Sequence, residues 1–537
     1  MADSKPSSNS EGARGAALPV HTALAAQGMP AIKATRREWT GLAVIALPCA
    51  VYAMDLTVLN LAMPAISAEL KPSASQLLWI IDIYGFLVAG FLITMGTLGD
   101  RIGRRKLLMI GAAAFGAASL LAAFAQSAEA LIAMRALLGI AGATVAPSTM
   151  SLIRNMFHDE HERQFAIGVW IASYSAGAAV GPLVGGVLLE FFHWGSVFLL
   201  AVPVMALLLL LGPSLLPEYR DPKAGRLDLA SVALSLGAVL TSVYALKRLA
   251  EFGPSWLAFV IGAAGIALGI TFVRRQSRLD YPLLDMRLFG NPAFSAAITA
   301  YGLTSLAMMG VYIFIAQYLQ LVRGLSPLEA GFATLPWALA FIVGSLVAPR
   351  LARRMPRVTL LVCSLLVSAL GFILIIGTPG PWGLALMIVG AVVMSLGMAP
   401  VIAIGNEMMI TAAPPERAGA ASAMAETAAE GSGALGIAVF GSLGTAIYTW
   451  VLARDLPAGL PADATAAALA TIGGAVASAQ AIGGAAGAEM LDNSREAFTF
   501  AMQVAAGAGA LIVLVACVIT ARILGRPAPA PAQRQAS

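Results

Sequence analysis

Apolar residues in this chain come in runs of about 20, broken by short stretches that hold nearly all the charge, as a hydrocarbon layer roughly 30 Å thick requires of helices that cross it. The runs fall at about residues 39–61, 77–99, 107–126, 131–153, 165–188, 195–216, 229–247, 256–273, 294–320, 328–349, 358–377, 382–405, 418–450 and 498–524. They predict an all-α membrane protein of 14 spans with both chain ends on one side. The segment 451–497 is the ambiguous one, because its stretch 462–490 is Ala/Gly-rich and nearly uncharged. Alanine and glycine supply little apolar drive, and a fifteenth crossing would carry Arg522, Arg526 and Arg534 to the wrong side. It reads as a long external loop, with short helices on the outer surface that act as a spacer or as a lid. Residues 1–38, polar and rich in Ser, Ala and Gly, read as a disordered cytoplasmic tail without a cleavable signal, and 525–537 as a second cytoplasmic tail.

Composition agrees: 59% of the 537 residues are hydrophobic and 11% charged, and the mean hydropathy is +0.83. An ordinary soluble domain carries about 25% charged residues, so a water-soluble globule is excluded. The net charge of +5 does not point to nucleic acid, because the basic residues sit in loops beside the spans, where they orient the chain. With the N-terminus inside, 26 of the 33 Lys and Arg are cytoplasmic, six are external and one, Arg135, lies in a span. Acidic residues outside the spans divide 13 to 10, so the bias belongs to Lys and Arg, as the orientation rule expects. Cys49, Cys363 and Cys517 are far apart within apolar runs and build neither a disulfide framework nor a metal site. The four histidines lie in tail or loops, and no phosphate-cradling loop precedes a Lys. No metal and no cofactor are expected.

A repeat is visible in the loops. Gly99-Asp100-Arg101-Ile102-Gly103-Arg104-Arg105 after span 2 and Ala348-Pro349-Arg350-Leu351-Ala352-Arg353-Arg354 after span 10 share their arginine spacing at an offset of 249 residues. Two halves of parallel topology are a known transporter architecture. The expected organisation is a six-helix bundle over 39–216, two linking helices with cytoplasmic loops over 217–290, and a second six-helix bundle over 291–524 that carries the external loop 451–497.

Ionisable side chains within spans carry the functional signal, since each costs about 2.5–3.5 kcal/mol at a helix centre. The candidates are Asp55 in span 1, Asp82 in span 2, Arg135 in span 4, Glu407 near the cytoplasmic end of span 12, and Glu426 with Glu430 in span 13. Five acids against one base should attract cations, protons or both. Glu426 and Glu430 are four apart and share a helix face, where two carboxylates in a poorly solvated cleft resist joint ionisation. Arg135 needs a partner, for which Asp55 is suited. Trp79, Tyr84, Trp170 and Tyr174, with Tyr301, Tyr312 and Trp337, are possible cavity-lining aromatics whose faces attract organic cations, and Met394, Met398 and Met424 add adaptable packing. Gly177, Gly181, Pro182, Gly185 and Gly186 put glycines at four-residue spacing around a bend in span 5, which permits a close helix contact able to change between conformations.

Taken together these motifs resemble the major facilitator superfamily, in its 14-helix drug:proton antiporter branch, and are similar to the quaternary-ammonium multidrug exporters. Gly96 to Arg105, with Asp100, Arg101, Gly103 and Arg104, looks like the superfamily's signature loop, whose acid and arginines pair across the bundle and govern switching. Asp55 to Pro64 resembles the helix 1 motif of the branch, where Asp55 would be a proton or cation site. Arg135 with Gly139 and Gly142 is similar to the helix 4 proton-transfer motif, and Gly177 to Gly186 to the antiporter motif. Trp79 to Tyr84 looks like the helix 2 segment of the quaternary-ammonium exporters. Glu426-Thr427-Ala428-Ala429-Glu430 resembles the acidic stretch of helix 13, although alanines stand where the branch often has an aromatic or an arginine.

The resemblance implies a major facilitator fold in a bacterial cytoplasmic membrane, acting as a monomer. It implies proton-coupled export of lipophilic organic cations, energised by the proton gradient alone, with Asp55, Arg135, Glu426 and Glu430 in proton coupling. Asp82, Trp79, Tyr84, Trp170, Tyr174 and Glu407 would serve the substrate, and protons, small lipophilic cations and membrane lipid are the expected partners. A dedicated exporter of a self-made metabolite or antibiotic is the near alternative. A membrane enzyme is disfavoured by the missing nucleophile-base or metal constellation, and a receptor by acids that would cost insertion energy without return.

Overall fold

The computed structural model describes residues 33–524 apart from 221–227, 280–281, 379, 381, 414–417 and 458. Apart from residues 33–38, the two expected tails lie outside the described residues. Among the described residues, fourteen helices are long and apolar enough to cross a membrane. In the first half these are α1 (Arg36–Leu70), α2 (Ala74–Ile102), α3 (Arg104–Ala123), α4 (Ala128–Met156), α5 (Glu160–Phe191) and α6 (Ser196–Leu215). Next come α7 (Leu229–Phe252) and α8 (Trp256–Gln276), then α9 (Pro292–Val322), α10 (Pro327–Ala352), α11 (Arg357–Ile376), α12 (Gly383–Thr411) and α13 (Ala418–Asp455). Two short helices, α14 (Ala462–Ala470) and α15 (Ile472–Ile482), precede the last span, α16 (Gly484–Leu524). No strand occurs among the described residues.

Local chemistry sets the helix starts. Thr35 with Glu38, Ser73 with Gln76, and Ser326 with Glu329 form capping boxes that satisfy the first free N–H groups of α1, α2 and α10. The tight turn between α2 and α3 is made by Gly103 at φ +113°, a conformation that a side chain would strain. Most helices run a few residues past the sequence expectation, and α1 ends at Leu70 rather than near residue 61. α1 begins at Arg36; α7 runs on to Phe252, which draws Lys247 inside a span; and α16 begins at Gly484, so residues 484–497 are helix rather than loop. At 41 residues α16 is about 60 Å long, twice the hydrocarbon thickness. Within the remaining 456–483 segment, α14 is fastened to α13 by Tyr448 and Thr449, whose hydroxyls donate to the carbonyls of Ala468 (2.9 Å) and Leu469 (3.1 Å).

The two bundles repeat each other's packing. α1 lies on α5, α2 on α4, and α3 on both α4 and α6; in the second half α9 lies on α13, α10 on α12, and α11 on both α12 and α16. Each bundle has its own apolar core, one around Tyr52, Phe115 and Phe157 and the other around Phe294, Phe372 and Phe440. The bundles meet along two related seams, α2 against α13 and α5 against α10, while α7 packs on α2 and α13 with α8 beside it.

Calling the end where α1 starts proximal and the end where it finishes distal, the described contacts between bundles run from mid-depth to the distal end. A Cβ on Gly186 would sit 2.7 Å from the carbonyl oxygen of Pro327, and one on Gly331 would sit 2.8 Å from that of Pro182. On the other seam Gly85 faces Ala434, and Gly441 faces Leu78. Gln320 donates to the carbonyl of Leu61 at 3.0 Å, and Gly473 of α15 abuts Ser67 near the distal end of α1. The distal side is therefore closed.

Candidate functional site

Helix 1 brings the first acid to mid-depth. Asp55 is buried and in direct contact with the guanidinium of Arg135, which is itself sealed from solvent. The Arg135 Nε donates to the carbonyl of Ile80 at 3.0 Å, and the guanidinium lies 4.5 Å from the ring centroid of Tyr84. An arginine in hydrocarbon is tolerated only when its charge and N–H groups find partners, and here a carboxylate, a carbonyl and a π face supply them. Gly139 and Gly142 make the arrangement possible: a Cβ on Gly139 would sit 2.6 Å from the carbonyl oxygen of Tyr84, and one on Gly142 would sit 3.1 Å from its hydroxyl. The sequence expectation that Arg135 pairs with Asp55 matches this geometry.

The second centre lies across the boundary between bundles. Glu430 is buried on α13, and its Oε1 accepts from the hydroxyl of Tyr52 on α1 (2.9 Å) and from that of Tyr174 on α5 (3.5 Å). Glu426, one turn closer to the proximal end, is partly exposed, and Tyr301 of α9 lies within electrostatic reach of both acids. Tyr52 and Tyr84 stand with ring centroids 6.2 Å apart, and Tyr52 and Tyr174 6.1 Å apart. Two acids on one face, walled by tyrosines and partly open, can hold a proton or an organic cation through charge and ring faces.

Other candidates are placed elsewhere. Asp82 does not join the acid cluster: Lys247 of α7 lies 2.7 Å from its carboxylate, both side chains are fully buried, and the ammonium stands 3.7 Å from the Trp79 ring centroid. The assignment of Arg135 as the one intramembrane base is thereby corrected, as is the count of five acids to one base. Asp82 and Trp79 anchor the linking helix rather than line the space beside Glu426. Glu407 is also corrected, since it is half-exposed at the proximal end of α12 and paired with Arg357 at 2.7 Å. Trp170 donates its indole N–H to Thr149 at 2.9 Å and stacks on Tyr174, so it braces the cluster from behind. Tyr312 and Trp337 pack on each other, their ring centroids 4.5 Å apart.

The glycine stretch of α5 presents two faces. Gly177, Gly181 and Gly185 lie against Ala50, Thr57 and Val58 of α1, whereas Gly186 meets α10. In the loop after α2, Asp100 pairs with Arg104 at 2.6 Å, and Arg104 also donates to the carbonyl of Pro147. Arg105 donates to the carbonyls of Pro213 and Leu216, while Glu218 accepts the backbone N–H of Arg105 and Lys106. These bonds tie the loop to α4 and to the end of α6, all within the first bundle. Arg101 is exposed, and Gly96 lies 3.7 Å, by its would-be Cβ, from Pro147.

Two participants escaped the sequence reading. Lys247 sat at the predicted edge of span 7, where hydropathy does not distinguish a buried ammonium from a loop charge. Tyr52 precedes Asp55 by three residues, which puts both near one face of α1, and this spacing was the available signal.

Residues 45–437 match the family model for the Major Facilitator Superfamily. The chain is 44% identical over 494 residues to the multidrug efflux pump LfrA of Mycolicibacterium smegmatis, covering 92% of this chain and 98% of the relative. It is 37% identical to the methyl viologen resistance protein SmvA of Salmonella typhimurium, covering 89% and 97%. Among solved structures, a bacterial homologue of the human lysosomal transporter Spinster, inward-facing and unoccupied, superposes with a TM-score of 0.66 at 18% identity, covering 92% of this chain and all of that one. With 14 membrane helices among the described residues, twelve of them in two repeated bundles, and this match across most of its length, the chain belongs to the major facilitator superfamily of membrane transporters.

Proposed function

We propose that this chain exports lipophilic organic cations in exchange for protons by alternating access. Its relatives are named for multidrug efflux and for resistance to methyl viologen, an organic cation, which supports efflux of small organic molecules as the general activity. The observation that carries the finer reading is Glu430, a buried carboxylate gripped by a tyrosine of the opposite bundle one turn from the partly exposed Glu426. In this reading both termini lie in the cytoplasm, an orientation that the Lys/Arg asymmetry supports, so the distal end faces outward and the closed distal seams correspond to a cytoplasm-facing state. A cation enters from the cytoplasm or the inner leaflet to the ionised acids, and protonation in the outward state weakens the attraction and releases it. Exchange requires that cation and proton favour different occupancy states, since a ligand bound equally in both shifts nothing. The proton gradient is the sole energy source in this reading, and a monomer suffices. Each net charge moved adds about 2.3 kcal/mol per 100 mV, so the proton number decides electrogenicity.

Reconstituted protein under an imposed pH gradient tests this. Addition of a quaternary ammonium compound should release lumenal protons, and an anionic drug should not. Asp55→Asn and Glu430→Gln should each abolish coupled transport while the protein still folds; wild-type rates in both variants would remove these acids from the mechanism.

A further inference from the structure

The acids of the two bundles are joined through Tyr52, a side chain outside every motif named above, together with Tyr84. Tyr52 extends from α1 between them. Its hydroxyl donates to Glu430 across the boundary, and its ring faces Tyr84, which lies under the Arg135 guanidinium held by Asp55. Gly142 of α4 fits against both tyrosines, with a would-be Cβ 3.1 Å from the Tyr84 hydroxyl and 3.3 Å from the Tyr52 ring. The Tyr84 hydroxyl is buried without a hydrogen-bond partner, so the hydroxyl that reaches an acid in the opposite bundle from this pair is that of Tyr52.

We propose that Tyr52 is the positioning residue that links the two acid centres, setting the charge state of Glu430 from the helix that carries Asp55. The proposal rests on the exchange reading above and adds the residue through which the bundles communicate. While Glu430 is ionised, the donated hydroxyl both stabilises its charge and pins α1 to α13 at mid-depth. When a bound cation or a proton neutralises that charge, the acceptor strength of Glu430 falls and the pin loosens, so the bundles change sides only with one of the two ligands in place. The titratable groups within electrostatic reach of Glu430 are Tyr52 from α1, Tyr84 from α2, Tyr174 from α5, Tyr301 from α9 and Glu426 on its own helix, while Cys49 of α1 lies within reach of Glu426. Of these, Tyr52 makes the short hydrogen bond, and Tyr174 the long one.

The test uses Tyr52→Phe, which keeps the ring and removes only the hydroxyl. Tetraphenylphosphonium binding is measured against pH on the purified full chain, alongside proton release in proteoliposomes. Removing a donor from an ionised acceptor favours the protonated form, so half-maximal binding in the variant should move up by about one pH unit, with affinity at neutral pH about tenfold lower and restored in alkali. In a Glu430→Gln background the same substitution should leave the remaining binding profile in place. A Tyr52→Phe profile that overlays the wild type, or an equal shift with and without Glu430, overturns the role of Tyr52. Wild-type protein that releases no protons on cation addition overturns the exchange reading itself, so the two failures are told apart by the control.

Discussion

A buried ion pair is most informative when it is cut on one side. Lys247 and Asp82 are sealed together between α7 and α2. Lys247→Met would leave a carboxylate without its partner in hydrocarbon, and loss of one member of such a pair costs about 3–5 kcal/mol. The expected outcome is a clear fall in the thermal unfolding midpoint of detergent-purified protein, most of which Asp82→Asn restores in the same chain. A fall that the second substitution deepens would show that the two do not act as a unit. By contrast Arg357→Met, which frees a half-exposed Glu407, should change stability by no more than about 1 kcal/mol. At this scale the sequence disclosed what insertion cost makes visible: Asp55, Arg135, Glu426 and Glu430 stand out because hydrocarbon penalises them. Depth along a helix axis is not legible there, so hydropathy alone puts Glu407 in a cavity and Lys247 in a loop. Nor did it mark Tyr52, since tyrosine is ordinary in membrane helices and its role comes from a partner 378 positions away.

Helix-scale features were read where composition was decisive and missed where it was mixed. Leu- and Ile-rich runs located the spans, whereas Ala/Gly-rich residues 484–497 carried no sign that they extend α16. Spacing of the α5 glycines announced a close contact, but only the structure shows that one helix meets both α1 and α10 by different glycines. Gly177 is the tightest case on the α1 side, because an added Cβ would enter the space of the Ala50 carbonyl. Gly177→Ala should therefore force α5 away from α1 and destabilise the protein by about 1–3 kcal/mol, the usual cost of overpacking. Gly168 has open space in place of a neighbour, so Gly168→Ala should leave stability unchanged or slightly raised, given alanine's better helix propensity. Unfolding of the two variants side by side checks both; equal behaviour would count against the seam.

For the molecule as a whole, closure of the distal side depends on reciprocal glycines, Gly186 against α10 and Gly331 against α5. Gly331→Leu cannot be fitted while the seam stays shut, so it should shift the population toward the distal-open form. With Cys49, Cys363 and Cys517 replaced, a cysteine substituted for buried Leu61 should then react faster with a membrane-impermeant maleimide added from the distal side, and transport should slow. Unchanged labelling would mean that closure does not rely on this contact. The two-bundle plan itself was legible from the repeated arginine loops, but the mounting of the linking helices was not. The Lys247 anchor fixes α7 over the flank where α2 meets α13, and α8 lies outside it. Shielding is thus one-sided: a solute travelling within the leaflet finds a screened edge there and a bare one between α5 and α10, so any sideways entry is confined to a single face of a transporter whose inner plan is twofold.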